Sequence, residues 1–105
     1  MTTDKEVKEI HGEHGQVLAQ AEYCNGKLDG ISRLWNDNGL LTEESEFREG
    51  RRHGSYVTWW DNGQKKEEGR FEEGVRVGRY LWYAQTGAIV ADHDYGLLVQ
   101  KPSEH

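Results

Sequence analysis

The chain holds one cysteine, Cys24, one proline, Pro102, and only 34% hydrophobic residues among its 105. A lone cysteine excludes an internal disulfide framework, and a reducing compartment is its simplest reading. No segment has the apolar run that a signal peptide or a membrane helix needs, and Met1 to Ile10 is charged throughout. The expectation is a cytoplasmic protein. Positive charge is also scarce. The formal net charge is -6 and the pI about 5.3, so the chain repels phosphate backbones and anionic headgroups, which argues against nucleic acid or membrane as partners.

The aromatic content is 10%, with four Trp, five Tyr and two Phe. That speaks against the disorder that a charged fraction of 30% would otherwise suggest. Tyr23, Phe47, Phe71 and Tyr95 stand 24 residues apart. Three glycine series keep the same step (Gly26, Gly50, Gly74; Gly30, Gly54, Gly78; Gly39, Gly63, Gly87), as do Trp35, Trp59 and Tyr83. A fixed period of this length is the mark of a stacked repeat, in which each copy completes its neighbour's core. The copies run 23–46, 47–70 and 71–94, after a degenerate half-copy at 5–22 and before a cap at 95–100 and a tail at 101–105. All belong to one domain.

Each copy reads as a β-hairpin. Asn38-Gly39 and Asn62-Gly63 are the dipeptides of type I′ turns, and Thr86-Gly87 and His14-Gly15 are poorer versions in the same slot. A two-residue loop sets Trp35 opposite Thr42, Arg33 opposite Glu44, Trp59 opposite Lys66, Val57 opposite Glu68, Tyr83 opposite Val90, Leu81 opposite Asp92 and Arg79 opposite Asp94. Such pairs contribute roughly 0.2–1 kcal/mol each. Wider loops such as 48–54 are expected between hairpins. The predicted strands are 5–11, 16–23, 31–36, 40–47, 55–61, 64–71, 79–85 and 88–95, with a short closing strand near 97–100. Recurrent glycine argues against helix. Phe71 is expected to cover the backbone of Gly54. The fold class is therefore all-β, an elongated antiparallel meander of tandem hairpins.

The runs Tyr23-Cys-Asn-Gly-Lys-Leu-Asp-Gly30, Trp35-Asn-Asp-Asn-Gly39, Phe47-Arg-Glu-Gly-Arg-Arg-His-Gly54 and Trp59-Trp-Asp-Asn-Gly63 resemble the MORN-repeat variant family over about residues 11–95. The third copy departs from that pattern at Val75-Arg-Val77 and Gln85-Thr86. The resemblance implies a β-meander without catalytic apparatus, and an antitoxin or immunity role in a bacterial toxin system.

Candidate chemistry is sparse. Five histidines and Cys24 lack any metal-ligand spacing, so no metal site is expected. Cys24 occupies a slot filled elsewhere by Arg48 and Glu72, which marks a surface thiol rather than a nucleophile. The Gly-x-x-x-Gly spacings lack the Gly-Lys-Ser/Thr of a phosphate loop. Neither a cofactor nor an enzymatic activity is expected. Glu44, Glu68 and Asp92 share one slot and form a potential acidic ladder, either paired with cross-strand arginines or presented to a basic partner. Trp59-Trp60 and Trp82-Tyr83 set adjacent rings on opposite faces, so that Trp60 and Trp82, with Tyr56 and Tyr80, form a candidate stripe of interface anchors. These seven residues are the expected contacts to another protein, such as a basic toxin. The rival expectation is a self-assembling or scaffold repeat, including a homodimer.

Overall fold

The structure is a computed structural model that describes residues 4–97. Eight strands form one antiparallel sheet in chain order: β1 (Lys5–His11), β2 (Val17–Cys24), β3 (Lys27–Trp35), β4 (Leu41–Arg48), β5 (Arg51–Trp59), β6 (Lys65–Glu72), β7 (Val75–Tyr83) and β8 (Ile89–Asp94). The sheet is an open meander of 58 × 48 × 14 Å, and no helix or second layer covers either face among the described residues. Among the described residues no helix is long and apolar enough to cross a membrane. The closing strand expected near 97–100 falls outside the described residues except for Leu97, which is exposed and lies in no strand.

The two kinds of turn are exchanged relative to expectation. β3, β5 and β7 begin four residues earlier than the sequence predicts, because the connections between repeats are the tight ones. Asn25-Gly26, Glu49-Gly50 and Glu73-Gly74 all have positive φ, which closes Cys24 on Lys27, Arg48 on Arg51 and Glu72 on Val75. This is the two-residue hairpin geometry. The Asn-Gly tips are longer. Asn38, Asn62 and Thr86 are absent from the positive-φ residues while Gly39, Gly63 and Gly87 are among them. The Gly39 amide donates to the Asn36 carbonyl and the Asn36 amide to the Leu40 carbonyl. The same pair of bonds recurs at Gly12–Gln16, Trp60–Gln64 and Ala84–Ala88. That is a type I turn followed by a left-handed glycine and a bulge.

The bulge explains which expected pairs occur. Arg33 faces Glu44, Val57 faces Glu68, Leu81 faces Asp92 and Arg79 faces Asp94, as expected. At the tips the extra residue slides the register by one, so Trp35 faces Leu41, Trp59 faces Lys65 and Tyr83 faces Ile89. Gly30 and Gly54 lie inside strands rather than in loops, with φ of 115° at each. There three residues oppose one, and the odd amide needs a partner: Glu22 accepts the Ile31 amide at 2.7 Å and Glu46 the Ser55 amide at 2.8 Å. Phe71 is indeed opposite Gly54, but the atoms nearest the Gly54 backbone on its open side belong to Glu46. A Cβ at Gly54 would lie 2.6 Å from Glu46 Oε1.

The third repeat solves the same slot differently. Arg70 stands where Glu22 and Glu46 stand, and cannot accept a hydrogen bond. The irregularity moves by one residue, so that residues 78–80 oppose Gly69. Tyr80 lies against Gly69, where any Cβ would overlap its ring. Tyr80 is 0% exposed. A tyrosine covering a glycine is thus the centre of the core, at a position other than the one the sequence suggested.

Candidate functional site

Strand alternation and the cross-strand register sort the side chains onto two faces. One, the aromatic face, carries Phe47, Tyr56, Phe71, Tyr80, Trp82 and Tyr95. All of these rings except Phe47 are in ring-to-ring contact. Tyr56 meets Phe71 edge-on at 5.4 Å, Tyr80 meets Trp82 at 4.6 Å, and Tyr80 meets Tyr95 edge-on at 6.0 Å. Each such pair contributes about 0.5–1.5 kcal/mol beyond area burial. Guanidinium groups lie among them. Arg52 is 5.1 Å from the Tyr56 ring and 5.3 Å from Phe47, and Arg76 is 4.8 Å from Tyr80. Burial pushes the Tyr80 phenol up to about 12.

The other face carries the acidic ladder. Arg33 Nε donates to Glu44 at 2.7 Å, Lys65 to Glu68 at 2.9 Å and Arg79 Nη2 to Asp92 at 2.7 Å. Arg79 pairs with Asp92 although Asp94 is its partner in register. Tyr83 donates to Glu68 at 2.7 Å, and that bond, with Lys65, holds the Glu68 carboxyl below its ordinary value.

The seven expected contact residues therefore do not form one surface. Tyr56, Trp60, Tyr80 and Trp82 belong to the aromatic face, and Glu44, Glu68 and Asp92 to the ladder face. Tyr80 is wholly buried and unavailable to a partner. The ladder residues are each engaged by a cross-strand or neighbouring base. Trp60 is half-buried, and its Nε1 donates to the Tyr83 carbonyl at 3.1 Å, which ties one hairpin tip to the next. The Asn62 side chain does likewise to the Gln85 carbonyl at 2.8 Å. Cys24 is half-buried at a tight turn. Among the described residues no three His, Cys, Asp or Glu side chains converge as a metal site.

A cleft of about 820 Å³ opens on the aromatic face beside Trp60. Tyr56, Thr58 and Trp60 line it along β5 and its tip, Leu34 and Gln85 close its sides, and three carboxylates, Glu43, Asp61 and Glu67, enter it. Glu43 and Glu67 stand on either side of Thr58 in register, one on β4 and one on β6. Thr58 Oγ1 and the Tyr80 hydroxyl both donate to Glu67, at 3.2 and 3.1 Å. Glu43 is 3.5 Å from Arg52 Nη2. Burial, and after it the charges of Glu43 and Glu67, hold the Tyr56 phenol above its ordinary value. Sequence reasoning missed Glu43, Asp61 and Glu67. The signal was present in Glu43-Glu44 and Glu67-Glu68, since adjacent residues of a strand point to opposite faces and only one of each pair can join the ladder.

The fold defines a single-layer β-meander built from hairpin repeats. No protein-family model, curated protein or solved structure matches the chain.

Proposed function

We propose that the chain is a protein-binding repeat module, and specifically an antitoxin or immunity protein that occludes a partner toxin. The observation that carries the binding reading is the aromatic face. It is half-exposed around the buried Tyr80, continuous across the second and third repeats to Tyr95, and bare of any second layer among the described residues. Apolar surface arranged this way in a sheet needs a covering element, and protein interfaces are anchored by Trp and Tyr. The immunity role follows from the resemblance to MORN-variant repeats and suits the acidity, since a charge of -6 speeds encounter with a basic protein while ring contacts slow dissociation. The anchors of this reading are Tyr56, Trp60 and Trp82, with Glu43 and Glu67 as the acids on their side. Glu44, Glu68 and Asp92 belong to the opposite surface.

Self-assembly is the weaker reading for a structural reason. Pairing β8 of one copy with β1 of another would continue the repeat, but the slot of Gly30, Gly54 and Gly78 holds Glu6 in β1, so the glycine bulge of the internal junctions is missing. The test is affinity capture from the native host, followed by assay of the captured protein. A stoichiometric basic protein whose own activity falls when the chain is added supports the proposal. No stoichiometric partner, together with a concentration-dependent dimer of the purified chain, overturns it in favour of self-assembly.

A further inference from the structure

We infer that the cleft beside Trp60 is an arginine-receiving site, which takes one guanidinium side chain of the partner protein between Glu67 and Glu43. The inference rests on the protein-binding reading and adds the chemistry of the group that docks. Three features of the cleft point to it. First, Glu67 and Asp61 have no cationic group within ion-pair distance among the described residues, although Glu67 is half-buried and held only by neutral donors, the Thr58 and Tyr80 hydroxyls. Glu43 has Arg52 at the long distance of 3.5 Å. Counting Lys66, whose Nζ lies 4.8 Å from the Trp60 ring, the lining still carries more negative than positive charge. Second, the acids are mixed with ring surface from Tyr56 and Trp60, and aromatic faces attract cations most strongly where water is partly excluded.

Third, the same face shows how this protein accommodates a guanidinium. Arg52 lies over the rings of Phe47, Tyr56 and Phe71 while reaching Glu43, and Arg76 lies over Phe71 and Tyr80. Rings beneath and a carboxylate at the edge are the combination the cleft repeats; Arg52 lies over the Tyr56 ring and Lys66 over the Trp60 ring, but no cation of the chain reaches Glu67 within ion-pair distance among the described residues. Arginine fits better than lysine. Glu43 and Glu67 are cross-strand neighbours of the same residue, so their backbones stand about 9.6 Å apart, two strand spacings. A planar fork with five donors can address a carboxylate on each side and still stack on a ring, whereas an ammonium acts as a point charge.

The test is a titration of the full chain with an acetylated, amidated hexa-arginine peptide, read by backbone amide NMR shifts, beside the same titration with hexalysine. Shifts are expected at residues 56–60 and 66–67, with hexalysine at least threefold weaker. Glu67→Gln should weaken the arginine peptide at least fivefold, since its amide oxygen can accept from one of the two hydroxyls and its NH2 can donate to the other, but the charge is gone. Asp61→Asn, at the rim and clear of the core, should weaken it about twofold and serves if Glu67→Gln melts early. Glu68→Gln, on the ladder face, should change binding less than twofold. Shifts confined to the ladder face, equal binding of the two peptides, or equal losses in Glu67→Gln and Glu68→Gln overturn the site. The captured partner separates the two claims. Equal affinity for wild type and Glu67→Gln removes the arginine site and leaves the binding module standing. Failure to capture any partner removes the module, and the peptide titration still decides the cleft.

Discussion

On one face of the sheet, Tyr56, Phe71, Tyr80, Trp82 and Tyr95 touch ring to ring with guanidiniums laid among them. On the other, Glu44, Glu68 and Asp92 meet Arg33, Lys65 and Arg79 one repeat at a time. Both faces come from the same 24-residue unit, but the first accumulates ring contacts from copy to copy, whereas the ladder acids are bridged between copies at the Tyr83–Glu68 bond. Tyr80 is the clearest product of that accumulation, touching rings from β5, β6, its own strand and Tyr95. A single-layer sheet has no interior in the usual sense. Its core is a row on one surface, and its stability should be concentrated there.

The largest effect that would sharpen this contrast is at the row's centre. Tyr80→Ala is expected to cost about 4 kcal/mol, at the level of a core aromatic truncation, measured by urea unfolding. Gly69→Ala comes next, at about 2–3 kcal/mol, because its methyl must displace the Tyr80 ring. The two should not add. With Tyr80 already truncated, Gly69→Ala should cost under about 1 kcal/mol. An undiminished cost would mean that Gly69 is needed for backbone reasons and that the ring contact is incidental.

One element of the ladder face breaks the simple division. Glu46 is turned inward on its own strand to accept the Ser55 amide at 2.8 Å and hydroxyl at 2.9 Å, and these bonds hold its carboxyl below the ordinary value of 4.5. Because the folded pKa is depressed, this contribution is fully present above pH 4.5 and is lost as pH falls through the lower folded value. Glu46→Gln keeps an acceptor for the amide and removes the titration. Its unfolding free energy should therefore fall less steeply than that of wild type below pH 4.5. Parallel curves would show that the bulge carboxylate contributes no acid sensitivity.

The period, the hairpin units, most of the register and the all-β class are legible in the sequence because glycine and aromatic spacing are properties of the chain itself. The two turn types lie opposite to expectation for a physical reason. A left-handed glycine is required both by a type I′ turn and by a type I turn with a bulge, so Asn38-Gly39 alone does not separate them. Glu49-Gly50 and Glu73-Gly74 set a glutamate at φ of 50°, a conformation that its side chain disfavours and that no local rule predicts. The burial of Tyr80 did leave a trace. Ala21, Ser45 and Gly69 form a series of small residues at the repeat step, and the absence of a side chain at its last member, Gly69, is what admits the ring. The acids of the cleft were hidden because Glu43 and Glu67 adjoin the ladder in sequence while facing the opposite way.

The smallest expected effect tests the ladder face alone. Arg33 and Glu44 are about one-third exposed, and their bond of 2.7 Å is the best formed of the expected pairs. Exposed pairs give up in desolvation and side-chain entropy most of what they gain in attraction. A double-mutant cycle with Arg33→Ala and Glu44→Ala should therefore return a coupling of about 0.5 kcal/mol, shrinking further at 1 M salt as the pair is screened. A coupling above about 2 kcal/mol would break the contrast between the faces, since the ladder would then hold the sheet together as the rings do. A small coupling has a further consequence. The ladder face would tolerate substitution without loss of the fold, so a binding defect on Glu44→Ala would report contact with a partner, whereas a defect on Tyr80→Ala could not be separated from unfolding.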